Sequence, residues 1–308
     1  MGMASWVRVL MCNIIIIIIL CHCQLLAAAA EAITIGSSNS TSCDYFQGSW
    51  VYDDSYPLYN STTCPFIGQG FDCQKNDRPD QDYLKYRWQP TSCDIPRYSF
   101  FLCFDLFPLT AVMWFKNGFL VDVVRDEKLG RIVKLDSISA GQQWLGVDSL
   151  IFNTYHWWFH KGRYQNWNYF QVGDKLLEDM DRLEALKIAL TTWARWVDNN
   201  IDPSATSVFY QGVAVPHQKG CMRQTEPVKG STYPGPNHQG EAAVKEIISN
   251  MTSPAYLLDI TLLTQLRKDG HPSIYAGSGT KFSDCSHWCL AGVPDTWNQL
   301  LYAALLDK

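Results

Sequence analysis

Asp284 and His287 stand three residues apart around Cys285, inside the run DCSHWCLAGVPDTWN (residues 284–298). In an Asp-x-x-His unit the carboxylate accepts from one imidazole nitrogen and fixes the tautomer, leaving the other nitrogen to take a proton from a hydroxyl. That is half of a hydrolase triad. The other half must be a serine on an exposed turn, leaving a strand and entering a helix. Further residues suit the same chemistry. Asn153 follows an apolar strand pattern over residues 150–152 and is either an amide facing the oxyanion of a tetrahedral intermediate or a turn-forming residue. His156, Trp157 and Trp158 follow in the adjoining loop, where indole faces match the C–H face of a sugar while polar neighbours take its hydroxyls, core packing of at least one tryptophan being the alternative. His271, between Gly270 and Pro272, reads as a turn residue, and His160, His217 and His238 read as surface or loop residues without a partner motif. Cys285 and Cys289 with His287 between them lack a second ligand pair, so no metal is expected.

The elements that would position these groups alternate in type. Residues 112–115, 119–124, 149–153, 207–213 and 255–260 have β-type composition, while 175–199, 241–251 and 299–306 have helical periodicity. Leu183, Leu186, Leu190, Trp193 and Val197 recur at three- and four-residue steps, which makes one amphipathic helix lying on a sheet. Such alternation implies an α/β layer fold with a largely parallel sheet. Before it, residues 43–93 are loop-rich and hold four cysteines, a pattern for a stapled module and not a core.

The chain has 308 residues, 47% hydrophobic and 13% aromatic, with a formal net charge of -5 and no long basic block. Nucleic acid is therefore excluded as a partner on electrostatic grounds. Residues 1–30 combine Arg8, an apolar run through Leu20 and the small residues 27–30, which is a signal peptide or signal anchor, with a linker over 31–42. If uncleaved, that segment ties the protein to a membrane. Sequons at Asn39, Asn60 and Asn250 suit a secretory route, as do eight cysteines outside the targeting segment, at 43, 64, 73, 93, 103, 221, 285 and 289.

The stretch CDYFQGSWVYDDSYPLYNSTTCPFIGQGFDCQKNDRPDQDYLKYRWQPTSCDIPR resembles the cysteine-rich module of the plant trichome birefringence-like family. DSLIFNTYHWWFHKGR, LDITLLTQLRKDGHPSIY and DCSHWCLAGVPDTWNQLLYAAL resemble that family's later blocks, so the likeness covers nearly the whole mature chain. It implies an SGNH-hydrolase-like three-layer α/β sandwich over residues 98–308, preceded by the cysteine-rich module over 43–97. The implied activity is O-acetyl transfer to hydroxyls of a cell-wall polysaccharide such as pectin, xylan or mannan. It needs no cofactor, the acetyl donor being a co-substrate. The implied location is the Golgi lumen or membrane as a type II single-pass protein, with secretion to the cell wall as the alternative. Implied disulfides are Cys43 with Cys93, Cys73 with Cys289, and Cys221 with Cys285, leaving Cys64 to meet a cysteine that this chain lacks, with Cys103 incidental.

One block of that pattern is missing. Between Pro96 and Val112 the family runs through a strand to Gly-Asp-Ser, yet no Gly-Asp-Ser occurs anywhere in the 308 residues. Gly173-Asp174-Lys175 has lysine in the serine's place and reads as a loop and helix start. Ser149 leads into a strand and not out of one, and Ser286 adjoins the base on a short turn. The expectation is a domain without its central strand, through a skipped exon, a retained intron fragment around residues 99–108 or a faulty gene model. As written, the chain is then expected to be inactive. The alternatives are a non-catalytic polysaccharide binder and a polysaccharide acetylesterase.

Overall fold

The structure, a computed structural model, describes residues 43–61, 64, 65, 67–96, 111–217, 220–277 and 283–307. The targeting segment, the linker, Asn39, Cys103 and most of the stretch where the serine block is missing lie outside them. Asp44–Lys308 make one compact unit.

Three parallel strands carry the site: β5 (Ser149–Phe152), β8 (Ser207–Gln211) and β9 (Tyr256–Leu258), in the spatial order β5-β8-β9. Alternation along β8 assigns its faces. Val208 and Tyr210 join the main core with Leu186, Ala189, Leu190 and Trp193 of α1 (Arg182–Asn200), whereas Phe209 packs with Ala304 of α3 (Val293–Leu306). A helix thus covers each face, and α2 (Gln239–Ser249) packs beside α1. This is the expected three-layer α/β arrangement. The periodicity of α1 holds as read, and Asp181 caps it by accepting from the Glu184 N–H at 2.9 Å.

β5 is an edge among the described residues, its ladder made to β8 alone. Its inward residues Leu150 and Phe152 are buried, but Ile151, in register with Phe209 on the opposite face, is 50% exposed. The strand expected over 112–115 is not formed. Those residues are irregular, with Val112 92% and Trp114 83% exposed, because apolar content alone makes no strand without a neighbouring ladder.

A second, mixed sheet contains β3 (Asp122–Asp126), β4 (Gly130–Lys134), β6 (Tyr169–Val172) and β7 (Lys175–Leu177) in the order β3-β4-β6-β7. The helix expected from residue 175 begins instead at Arg182. Val172 pairs with Lys175 across a two-residue hairpin loop, which glycine permits because Gly173 has φ 54°.

The cysteine-rich module contributes to the interior. β1 (Gly48–Tyr52) and β2 (Tyr86–Pro90) pair antiparallel, with Trp50 opposite Trp88. Both indoles are buried and satisfied: Trp50 Nε1 donates to the Leu263 carbonyl at 2.9 Å and Trp88 Nε1 to that of Tyr45 at 2.8 Å. The loop-rich reading of this module missed the hairpin because tryptophan alternation spans only five residues on each side.

Candidate active site

The loop carrying Asp284 and His287 is tied down by backbone bonds, two disulfides and a buried ion pair behind it. Asp284 and Ser273 form an antiparallel bridge with N···O distances of 2.8 and 3.0 Å. Cys285 is bonded to Cys221 and Cys289 to Cys73, so disulfides flank His287 on both sides. Cys43 and Cys93 are each disulfide-bonded as well, and Cys64 is free. The Cys289 N–H donates to Gly270 at 2.9 Å, and that turn is fixed by the fully buried Arg267–Asp269 pair at 2.8 Å. Arg267 also donates to the Tyr83 carbonyl at 2.8 Å and lies 4.3 Å over the Trp50 ring. Arg78, from the cysteine-rich module, donates to the carbonyls of Asp269 and His271 at 2.7 and 3.1 Å.

Within this frame His287 Nδ1 donates to Asp284 Oδ2 at 2.8 Å. Asp284 Oδ1 accepts from the Ser286 and His287 N–H groups at 3.0 and 3.1 Å and from the Ser286 hydroxyl at 3.0 Å. Burial works against the carboxylate's charge, but the bonds from His287 and from these N–H groups outweigh it and hold Asp284 well below the usual carboxylate range. The same bond to Asp284 raises His287, against partial burial. With Nδ1 committed, Nε2 is left with the lone pair, on a side chain 60% exposed. Such a nitrogen can accept a proton from a hydroxyl brought to it.

Loops leaving the carboxyl ends of β5 and β8 reach this pair. His217, beyond β8, donates its N–H to the Cys285 carbonyl at 2.9 Å. His156, beyond β5, hydrogen-bonds the Ala214 backbone and leaves its buried Nε2 without a partner among the described residues. Burial first, then the neighbouring His287, His160 and His238, push the His156 imidazole down to about 4, so it is a neutral acceptor at physiological pH. Asn153 sits at the carboxyl end of β5, exposed, its Nδ2 3.4 Å from the Gln211 carbonyl. Trp157 presents a face 43% exposed, 5.2 Å from the His160 ring. Trp158 does not belong with it. It is fully buried, donates to Thr154 Oγ1 at 2.9 Å and lies parallel to Phe170, so it can meet no ligand. Of two adjacent tryptophans on one 3-10 turn, one points out and the other into the core.

The serines stand where the sequence places them. Ser149 opens β5 at its amino end, and Ser286 is bound to Asp284 within the turn. Among the described residues no hydroxyl is hydrogen-bonded to His287 Nε2. His217 corrects the surface-loop expectation. It is 6% exposed, and its Nδ1 lies 2.7 Å from Nε2 of His271, which is 1% exposed. The two are 54 positions apart and share no local pattern, so no sequence signal joins them.

The chain matches the model of a GDSL/SGNH-like acyl-esterase family found in Pmr5 and Cas1p over residues 104–304, and the Pmr5 N-terminal domain over 41–94. It is 49% identical to trichome birefringence-like 42 of Arabidopsis thaliana, covering 90% of this chain and 93% of that protein. It is 40% identical to trichome birefringence-like 43 of Arabidopsis thaliana (92% and 94%) and 31% identical to its trichome birefringence protein (92% and 60%). The first of these alignments runs over 336 positions, more than the 308 residues here, so that relative has residues with no counterpart in this chain. A three-layer α/β domain with a disulfide-flanked Asp-x-x-His loop, a buried hairpin module and identity along nearly the full length place this chain in the trichome birefringence-like family.

Proposed function

We propose that this chain holds the proton-transfer half of a polysaccharide acetyl-transfer site and lacks the half that makes the covalent bond. The observation that carries this reading is the Asp284–His287 contact of 2.8 Å with Nε2 exposed, in a chain without Gly-Asp-Ser. In a complete site the serine attacks the acetyl carbonyl while His287 takes its proton, and an amide such as that of Asn153 faces the oxyanion. His287 then returns the proton to the leaving group, and a sugar hydroxyl resolves the acetyl-serine. Water in its place gives the esterase reaction. Trp157 suits a sugar by its exposed apolar face, whereas the Nε2 of His156 is buried beside it. The polymer is a wall polysaccharide of the pectin, xylan or mannan type, met in the Golgi or at the wall.

The test is turnover by the purified chain on acetylated xylan, pectin and mannan, and transfer from an acetyl donor, each beside His287→Ala. Loss of a nucleophile costs roughly four to six orders of magnitude, so no His287-dependent turnover is expected. Turnover abolished by His287→Ala would show that another residue serves as nucleophile. The absent serine favours a second reading, a non-catalytic polysaccharide binder. Retardation of the chain in polysaccharide-containing gels, lost in Trp157→Ala, supports it, and equal mobility with and without polymer excludes it.

A further inference from the structure

His217 and His271 form a chain of two rings between two backbone carbonyls. His217 Nε2 lies 2.9 Å from the Gln265 carbonyl oxygen, His217 Nδ1 lies 2.7 Å from His271 Nε2, and His271 Nδ1 lies 2.5 Å from the His287 carbonyl oxygen. A carbonyl only accepts, so both outer nitrogens must carry hydrogen. The inner contact needs one hydrogen as well, since two lone pairs at that separation repel. Three N–H groups are required, and two neutral imidazoles hold two.

We infer that His217 and His271 share one proton beyond the two of neutral rings, and that this proton makes them a positioning unit for the loop carrying His287. The shared charge has partners. His271 stacks on Trp288 with centroids 4.1 Å apart, and an indole face attracts a cation. Asp284 and Asp269 favour the charge; Arg267, Lys268 and the burial of both rings oppose it. Arg78, paired with Asp80, donates to the His271 carbonyl, and Arg267 is paired with Asp269, so each guanidinium is largely neutralised. Burial dominates among these and sets the release of the proton on the acid side of the ordinary imidazole value of 6.5.

When the proton leaves to solvent, one of three bonds must open. Gln265 is 6% exposed, and its carbonyl cannot exchange its partner for water without cost. The His287 residue lies on a loop with an exposed side chain, where water can enter. The bond conceded is therefore the one to His287. Below the midpoint the pair pins the His287 backbone; above it the loop keeps its disulfides, the Asp284–Ser273 bridge and the bonds at Cys285 and Cys289 but loses the one at His287. The positioning role rests on His287 being the site's base, whereas the proton count stands without it.

Exchange of the imidazole C2 hydrogen, followed residue by residue with mass spectrometry from about pH 4 to about pH 8, reports each histidine in the full chain. His217 and His271 are expected to share one macroscopic midpoint, as coupled groups do. Amide protection of residues 284–290 should fall as pH rises through that midpoint. His217→Phe should remove the transition from His271. His271→Asn, whose amide donates to the His287 carbonyl without titrating, should keep the protection and make it independent of pH. Separate midpoints, or none above about pH 4, overturn the shared proton. A common midpoint with flat protection of residues 284–290 overturns the positioning role. Neither outcome depends on turnover, so failure here and failure of the acetyl-transfer reading are separable.

Discussion

Replacing Asp284 with asparagine separates the carboxylate's charge from its shape. In the native site one oxygen holds His287 Nδ1 at 2.8 Å and the other holds the turn through Ser286 and His287 N–H groups at 3.0 and 3.1 Å. Asparagine keeps an oxygen for the turn but directs an N–H toward Nδ1. The imidazole must then carry its proton on Nε2, the atom that has to act as base. The stability change is small. An ion pair this exposed contributes about 0–1 kcal/mol, and exchanging one charge-assisted bond for a neutral one costs about 1 kcal/mol, so D284N should lose about 1–2 kcal/mol. Its pH dependence says more. His287 is raised above 6.5 by Asp284, so its share of the stabilisation is present below the unfolded imidazole value and is lost as pH rises through the folded one. Asp284 is lowered below 3.8, so its share is present above the unfolded carboxylate value and is lost as pH falls through the folded one. The pair's increment is full only between those limits, and D284N should flatten it. The assay is urea unfolding across that range together with C2-hydrogen exchange of His287, whose midpoint should drop below 6.5 in the variant as burial is left unopposed. Equal His287 midpoints in the native chain and D284N would refute the coupling.

Two further outcomes test the frame around the pair. Arg267→Leu leaves Asp269 buried and uncompensated at 0% side-chain exposure, so a loss of about 3–5 kcal/mol in denaturant unfolding is expected, and a loss under about 1 kcal/mol would show the pair to be dispensable. Mild alkylation of the folded chain should label Cys64 and spare Cys73, Cys221, Cys285 and Cys289; a Cys64–Cys103 disulfide peptide in a non-reducing digest would overturn that expectation.

What the sequence makes legible is what short-range periodicity encodes. The stripe from Leu186 to Val197 shows α1 directly, and Asp284 and His287 are close enough in the chain for spacing alone to imply their bond. Four features escape for different physical reasons. The β6–β7 hairpin turns on Gly173 and contains a strand of only three residues, too short for alternation to register. Residues 112–115 are apolar enough for a strand, but a strand needs a neighbour's ladder, and that lies in long-range pairing. The His217–His271 contact crosses 54 positions and depends on two loops folding against each other. Trp157 and Trp158 have the same composition signal and opposite fates, because a single turn decides which one faces the core.

The persistence of an ordered Asp–His pair in a chain without Gly-Asp-Ser follows from where its supports lie. Two disulfides, the Ser273 bridge, the Arg267–Asp269 pair and the Arg78 bonds tie the loop to the cysteine-rich module, to the segment after β8 and to the turns on either side of His271, and none of them touches β5. Among the described residues, by contrast, β5 has a ladder to β8 alone and its Ile151 is half exposed. The base half is thus fastened by covalent, ionic and backbone contacts that do not run through that strand, so the 2.8 Å contact that gives the loop its chemistry does not depend on what pairs at the outer side of β5.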